Sequence, residues 1–272
     1  MKVLESKFAN EFLNMAERCF SMGWHERNGG NMSYRIRPEE VAEVRGDFTD
    51  KNPWVDIGAA IPSMAGEFFM VTGSGKFFQN TRSQPEDATA IVEVDGAGEK
   101  YRIVWGLVNG GRPTSELPSH LLNHAVKAAA TGGKNRVIYH CHPVNVIALS
   151  YVLPLEDAVW SRELWDTMTE CPIIFPAGVG VIEWMVPGGR EIGVASSEKM
   201  KTYDVIIWAH HGMFVSGEDF DMAFGLAHTV DKAADILVKI ISMGGRKCSI
   251  SSDDFRRLAK DFNVTLNEDF LK

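Results

Sequence analysis

The chain has 272 residues, 45% hydrophobic and 24% charged, a balance too apolar for disorder and typical of a soluble globular protein that buries a core without staples. Its 28 Lys and Arg against 36 Asp and Glu leave a formal charge of −8, which argues against a general nucleic-acid or membrane-surface binder but leaves room for a small anionic ligand at a locally opposed site. No run approaches the roughly 18 apolar residues of a membrane span, the opening Met1–Lys7 lacks the apolar stretch of a secretion signal, and four cysteines without a Cys-x-x-Cys pair are too sparse for a disulfide framework, so a reducing cytoplasm is expected.

Leu4, Phe8, Phe12, Met15, Ala16 and Cys19 recur at spacings of three and four, which predicts an amphipathic helix over 4–22. Arg27-Asn28-Gly29-Gly30-Asn31 breaks it, and Met32–Ile36 reads as a strand. Residues 38–66 mix Pro, Gly and acidic residues with weak periodicity and read as an irregular insertion. Phe68–Val71 is an apolar strand running into Thr72-Gly73-Ser74-Gly75-Lys76. Ile91–Val94 and Tyr101–Trp105 flank Asp95-Gly96-Ala97-Gly98, a hairpin signal. Pro118–Ala130 reads as a helix with Leu121, Leu122, Ala125 and Ala129 inward, followed by the buried strand Val137-Ile138-Tyr139. Helices are expected near 144–151, 158–168 and 190–202, and strands at Ile173–Phe175 and Val205–Trp208. The longest helix should be 219–243, where Phe220, Ala223, Phe224, Ala227, Val230, Ala234, Leu237, Val238 and Ile241 keep the helical period and Gly244-Gly245 ends it. Ser252-Asp253-Asp254 opens a short last helix. Strands mixed with helices throughout, without repeats or a clear linker, imply one α/β domain over 1–272.

The strand at 137–139 delivers His140-Cys141-His142. Residues two apart on a strand share a face, so the two imidazoles can hold one divalent metal, while Cys141 points the other way into the core. His210-His211-Gly212 follows another apolar strand, and only one of those adjacent histidines is expected to join the pair. Glu116, in Pro113-Thr114-Ser115-Glu116-Leu117-Pro118, suits either an acid at a helix N-terminus or a ligand or general base. Glu170, in Thr169-Glu170-Cys171, is ambiguous in the same way. Asn28-Gly29-Gly30-Asn31 and the turn around Ser74 and Gly75 are ordinary turns or anion sites, since both offer side-chain donors and backbone N–H groups. The second is not a Walker loop, because Met70 stands where that loop needs Gly and Phe77 follows Lys76. Neither a Gly-x-Gly-x-x-Gly fingerprint nor a Gly-x-Ser-x-Gly elbow occurs, which argues against a dinucleotide cofactor and a serine nucleophile.

Taken together, Glu26-Arg27-Asn28-Gly29-Gly30-Asn31, Phe69–Phe78, Pro113–Pro118, His140-Cys141-His142, Thr169-Glu170-Cys171, Trp184–Gly188 and His211-Gly212 resemble the class II aldolase/adducin family over nearly the full chain. Within it, the branch acting on L-rhamnulose 1-phosphate is most similar. The resemblance implies an α/β fold with a central, largely antiparallel sheet between helix layers, and a homotetramer of four-fold symmetry with sites near subunit interfaces. It implies one Zn²⁺ per subunit on His140, His142 and His211, the histidine directly before Gly212. It implies Glu116 as metal ligand and acid–base group, Glu170 as the proton carrier at the aldehyde end, and Asn28, Gly30, Asn31, Ser74, Gly75 and Ser115 around a phosphate. The implied activity is reversible cleavage of L-rhamnulose 1-phosphate, a small sugar phosphate, to dihydroxyacetone phosphate and L-lactaldehyde. Fuculose-phosphate aldolases, pentulose-phosphate epimerases and a dehydratase share the histidines and stand as alternatives, as do adducin-type modules without aldolase activity.

Overall fold

In the computed structural model, which describes residues 1–272, Ser6 caps the first helix α1 (Lys7–Ser21) by accepting from the Ala9 N–H. Phe8, Phe12, Met15, Ala16 and Cys19 are buried along it, as their spacing predicts, while Leu4 lies in a separate 3-10 turn, Val3–Glu5. Strand β1 is Asn31–Arg35. Helix α2 (Pro38–Val44) and strand β2 (Val55–Asp56) organise part of the segment expected to be irregular. Proline at its first turn and the Glu40 carboxylate, which accepts from the Arg37 N–H, account for α2.

Strand β3 (Phe68–Thr72), the one-turn helix α3 (Pro85–Ala88), and the hairpin β4 (Thr89–Val94) and β5 (Lys100–Gly106) follow. Helix α4 (Leu117–Thr131) leads to β6 (Val137–Cys141), α5 (Val144–Leu149) and α6 (Asp157–Trp165). Residues Cys171–Ile174 form the short helix α7 and not the expected strand. Pro172 suits a helical first turn, and the N–H groups of Ile173 and Ile174 both donate to the Glu170 carbonyl. The strand that the sequence reading places there is instead β7 (Gly180–Ile182), followed by α8 (Arg190–Met200), β8 (Val205–Trp208) and β9 (Gly212–Gly217). Helix α9 (Phe220–Ser242) starts at an Asp219 cap. Helix α10 (Ser252–Asp261) is capped by Ser251, one residue before the expected serine.

The nine strands make one sheet in the order β2-β5-β4-β3-β1-β6-β9-β8-β7, antiparallel at every pair except β7–β8. The largely antiparallel expectation therefore holds. Helices α1, α5 and α6 pack on α9, whereas α4 and α8 pack on each other. Alternation along the strands assigns the two faces. Tyr34 contacts Phe8 and Phe220, and Tyr139 contacts Trp24, on the α1/α9 side. Ser33 meets His120 and His124 on the α4 side. The buried face of α4 also differs from expectation: it carries Leu117, Leu121, His120, Asn123, His124 and Lys127, and Ala129 is exposed.

Candidate metal and anion site

Strand register assembles the site. Asn31 of β1 lies opposite His140 of β6, and His140 lies opposite Phe214 of β9. The His140 ring stacks on Phe214 at 4.4 Å between centroids, and its Nδ1–H donates to the Met213 carbonyl at 3.0 Å. His142 sits one residue past β6, where its backbone N–H donates to the Trp24 carbonyl and its ring Nδ1–H donates to Glu26 Oε1 at 2.7 Å. His211 enters from the tight turn between β8 and β9. Glycine must follow it, because a Cβ at position 212 would lie 2.2 Å from the Cys141 carbonyl oxygen.

These hydrogen bonds fix the tautomers. With Nδ1 protonated on His140 and His142, both Nε2 atoms present bare lone pairs, yet they lie 3.2 Å apart, and His140 Nε2 lies 3.3 Å from His211 Nε2. Two lone pairs at that distance repel unless a cation sits between them. Nitrogen ligands at about 2.0–2.1 Å on a tetrahedral ion are separated by about 3.3 Å, the spacing found here. Burial and mutual repulsion push the His140 imidazole well below its ordinary range and His211 down to about 4, so both are neutral, the form that binds metal. The donor set therefore fits one divalent ion, and Glu26, which accepts from His142 Nδ1–H, orients one of the imidazoles that could hold it.

Glu116 ends the loop before α4 and is buried beside this cluster, its Oε2 3.9 Å from His140 Nε2. Burial raises its carboxyl above the usual carboxylate range, and the hydrogen bond from Asn31 Nδ2 at 2.8 Å pulls it partly back. Asn28, Gly30, Asn31, Ser74, Gly75 and Ser115 line the same cleft of about 210 Å³ as Glu116 and the three histidines. The backbone N–H groups of Gly30, Gly75 and Ser115 have no acceptor within the chain. No lysine or arginine lines the cleft, and Lys76 pairs with Asp87 at 2.7 Å. An anion here would be held by neutral side chains and backbone donors. Gly30 has φ +73°, and a Cβ there would lie 2.5 Å from His25 Nδ1, so this turn requires glycine.

One predicted site residue, Glu170, and His210, the neighbour of the predicted ligand His211, lie outside this cleft. Glu170 is exposed at the start of α7 and lines no part of the cleft of its own chain. His210 adopts φ +62°, which turns its ring away to Ser150 Oγ and the Tyr151 ring and leaves His211 with the pair. Sequence reasoning missed His25, whose Nδ1–H donates to the Gly29 carbonyl and whose Nε2 accepts from the Tyr139 hydroxyl. It also missed the role of Glu26 and of His120, which faces the Asn31 side chain.

The profile of the Class II Aldolase and Adducin N-terminal domain matches residues 10–238. A rhamnulose-1-phosphate aldolase from Mannheimia succiniciproducens is 47% identical over 97% of this chain and 97% of its own. Another from Pectobacterium atrosepticum is 46% identical over 97% and 96%. Among solved structures, a sugar-phosphate aldolase from Thermotoga maritima aligns with a TM-score of 0.75 at 27% identity, covering 88% of this chain and 97% of that one. A shared profile over most of the chain, near-full-length relatives and a matching fold agree, and the chain belongs to the class II aldolase and adducin family.

Proposed function

We propose that the protein is a zinc-dependent aldehyde lyase that cleaves L-rhamnulose 1-phosphate reversibly to dihydroxyacetone phosphate and L-lactaldehyde, in the cytoplasmic breakdown of rhamnose. The observation that carries this is the single cleft holding three convergent imidazoles, the buried Glu116 carboxylate and two turns of unused N–H donors. The names of the relatives at 46–47% identity support the substrate.

Zinc on His140, His142 and His211 would supply Lewis-acid polarisation of the ketone. The chain's own residues do the rest. Asn28, Asn31, Ser74 and Ser115 side chains, with the Gly30 and Gly75 amides, anchor the phosphate, so binding of a non-reacting group orients the bond to be broken. When the bond between the third and fourth carbons breaks, its electrons remain on the dihydroxyacetone-phosphate half. Glu116 handles the proton there, since its buried carboxylate lies beside the imidazole cluster, 3.9 Å from His140 Nε2. Glu170 handles the proton at the aldehyde end, from a neighbouring copy in a four-fold homotetramer. Its exposure supports that assignment, as do Trp184 and Val186, 61% and 67% exposed in the loop whose Pro187 and Gly188 border the cleft.

The test is a coupled assay for dihydroxyacetone phosphate with L-rhamnulose 1-phosphate and L-fuculose 1-phosphate, with and without chelator. Preference for the first substrate, loss of activity on chelation and recovery with zinc are expected. Preference for the other substrate, or full activity without metal, overturns the assignment. Subunit mixing tests the shared site: equal amounts of Glu116→Ala and Glu170→Ala chains, reassembled, should regain roughly a quarter of the parental sites. Hybrids confirmed by mass but no more active than either variant would place each site within one chain.

A further inference from the structure

Asn31 and Ser33 are two apart on β1 and face α4, where His120 and His124 stand one turn apart. A strand advances about 6.8 Å over two residues and a helix about 6 Å over four, so the two pairs interleave. The result is a continuous run of hydrogen bonds, all of it buried. Its direction is set from the carboxylate end. Asn31 Nδ2 donates to Glu116 Oε2 at 2.8 Å, so Asn31 Oδ1 faces His120 Nε2 and must accept from it. His120 Nδ1 is then bare and accepts from the Ser33 hydroxyl at 2.6 Å, and Ser33 Oγ accepts from His124 Nε2–H at 2.8 Å. The run ends on His124 Nδ1, a buried nitrogen without a partner, as a bare lone pair at the end of a one-way chain would be. Burial holds both imidazoles neutral, His120 down to about 3, which the chain requires.

Neither histidine lines the cleft. Hydrophobic side chains at positions 120 and 124 would fill the space between β1 and α4 without the desolvation that two imidazoles incur. What the imidazole adds is orientation. An Asn amide is nearly symmetrical in shape, and nothing in its own structure decides whether NH₂ or oxygen faces the carboxylate.

We propose that His120 is a positioning residue for Glu116: held as its Nε2–H tautomer by Ser33 and His124, it locks the Asn31 amide so that its NH₂ group faces the Glu116 carboxylate. This rests on the reading of Glu116 as the acid–base group.

The experiment compares His120→Leu, His120→Gln and Ser33→Ala in the zinc-loaded protein by kcat, KM, metal content and nitrogen NMR of labelled imidazoles. His120→Leu should lower kcat about a hundredfold, the scale of a roughly 1 Å misplacement of a reacting group, with bound metal little changed and KM moving less than kcat, since Asn31 is one of several phosphate donors. His120→Gln places an amide N–H where Nε2–H stood and should restore most of the loss. Ser33→Ala, which frees the ring to move its proton to Nδ1, should lower kcat about tenfold. The parent spectrum should show His120 protonated at Nε2, and Ser33→Ala should show a shift toward Nδ1. Protonation at Nδ1 in the parent overturns the proposal, as does equal loss in the Leu and Gln variants or a change confined to KM. If His120→Leu does not fold, the parent spectrum and the Ser33→Ala pair decide. If the parent prefers a different ketose phosphate, the proposed substrate fails, and the spectrum still tests the positioning role by itself.

Discussion

Along β1, Met32 and Tyr34 enter an apolar core with α1 and α9, while their neighbours Asn31 and Ser33 join histidines and a carboxylate under α4. On β6 the same alternation separates Tyr139 and Cys141 from His140. One strand thus serves two environments that fail in different ways. Apolar side chains substitute for one another at modest cost provided volume is kept. Removing one partner of a buried hydrogen bond leaves the other unpaired at a cost, so the hydrogen-bonded groups under α4 tolerate less change, and that face reaches the cleft.

The largest break in this comparison comes from the polar side. Glu116→Ala is expected to lower turnover by about 10²–10⁴, the usual scale for a general acid or base, while the melting temperature stays close to that of the parent. His211→Ala should lose both bound zinc and turnover, measured by metal analysis and the coupled assay. Turnover retained without stoichiometric metal would remove the imidazole cluster from the chemistry.

Met32→Ala tests the opposite face at the residue between Asn31 and Ser33. Met32 is fully buried, so truncation should destabilise the fold by about 2–5 kcal/mol, read from the denaturation midpoint. Turnover per folded molecule should stay at the parental level. A large fall in kcat without loss of stability would show that the two faces are not independent.

The features legible in the sequence are those with a short, regular period. Residues 220–242 repeat at the helical period over six turns, and the His140/His142 pair follows from the two-residue period of a strand. Where the apolar run is short, period gives no answer. Ile173-Ile174-Phe175 has strand-forming residues but starts at a proline in a helical first turn, and β7 and β9 are bounded by glycines at 180, 212 and 217 that read as turns. The polar network was hidden for a different reason. His120 and His124 lie at helical spacing among Leu117 and Leu121, so their polarity reads as an interruption of the core, and only the pairing of α4 with β1 supplies their partners. Glu26 reaches His142 across 116 residues, beyond any local pattern.

The anion turns should give smaller effects, because several donors share the load. Asn28→Ala or Ser74→Ala should each lower kcat/KM by about ten- to a hundredfold, the scale of one lost hydrogen bond to a charged group at about 1.5–3 kcal/mol. Inorganic phosphate should compete with substrate in the parent and less well in the variants. Parental efficiency together with parental phosphate inhibition in both would reduce these to ordinary turns.

The smallest effect is expected one residue from one of the largest. His210 and His211 are adjacent, yet the left-handed backbone at His210 turns its ring to Ser150 and Tyr151 and leaves His211 Nε2 3.3 Å from His140. His210→Ala therefore removes no group from the cleft, and zinc content and turnover should remain within about twofold of the parent, against the loss expected for His211→Ala. The backbone gives a second readout. A left-handed conformation costs a side-chain-bearing residue about 1–2 kcal/mol, and alanine inherits that cost while losing the ring's contacts, whereas glycine is free of it. His210→Gly should then be more stable than His210→Ala by about 1 kcal/mol with equal turnover. If His210→Ala loses its metal and His211→Ala keeps it, the turn presents the other histidine to the pair, and the three-imidazole site must be rebuilt around it.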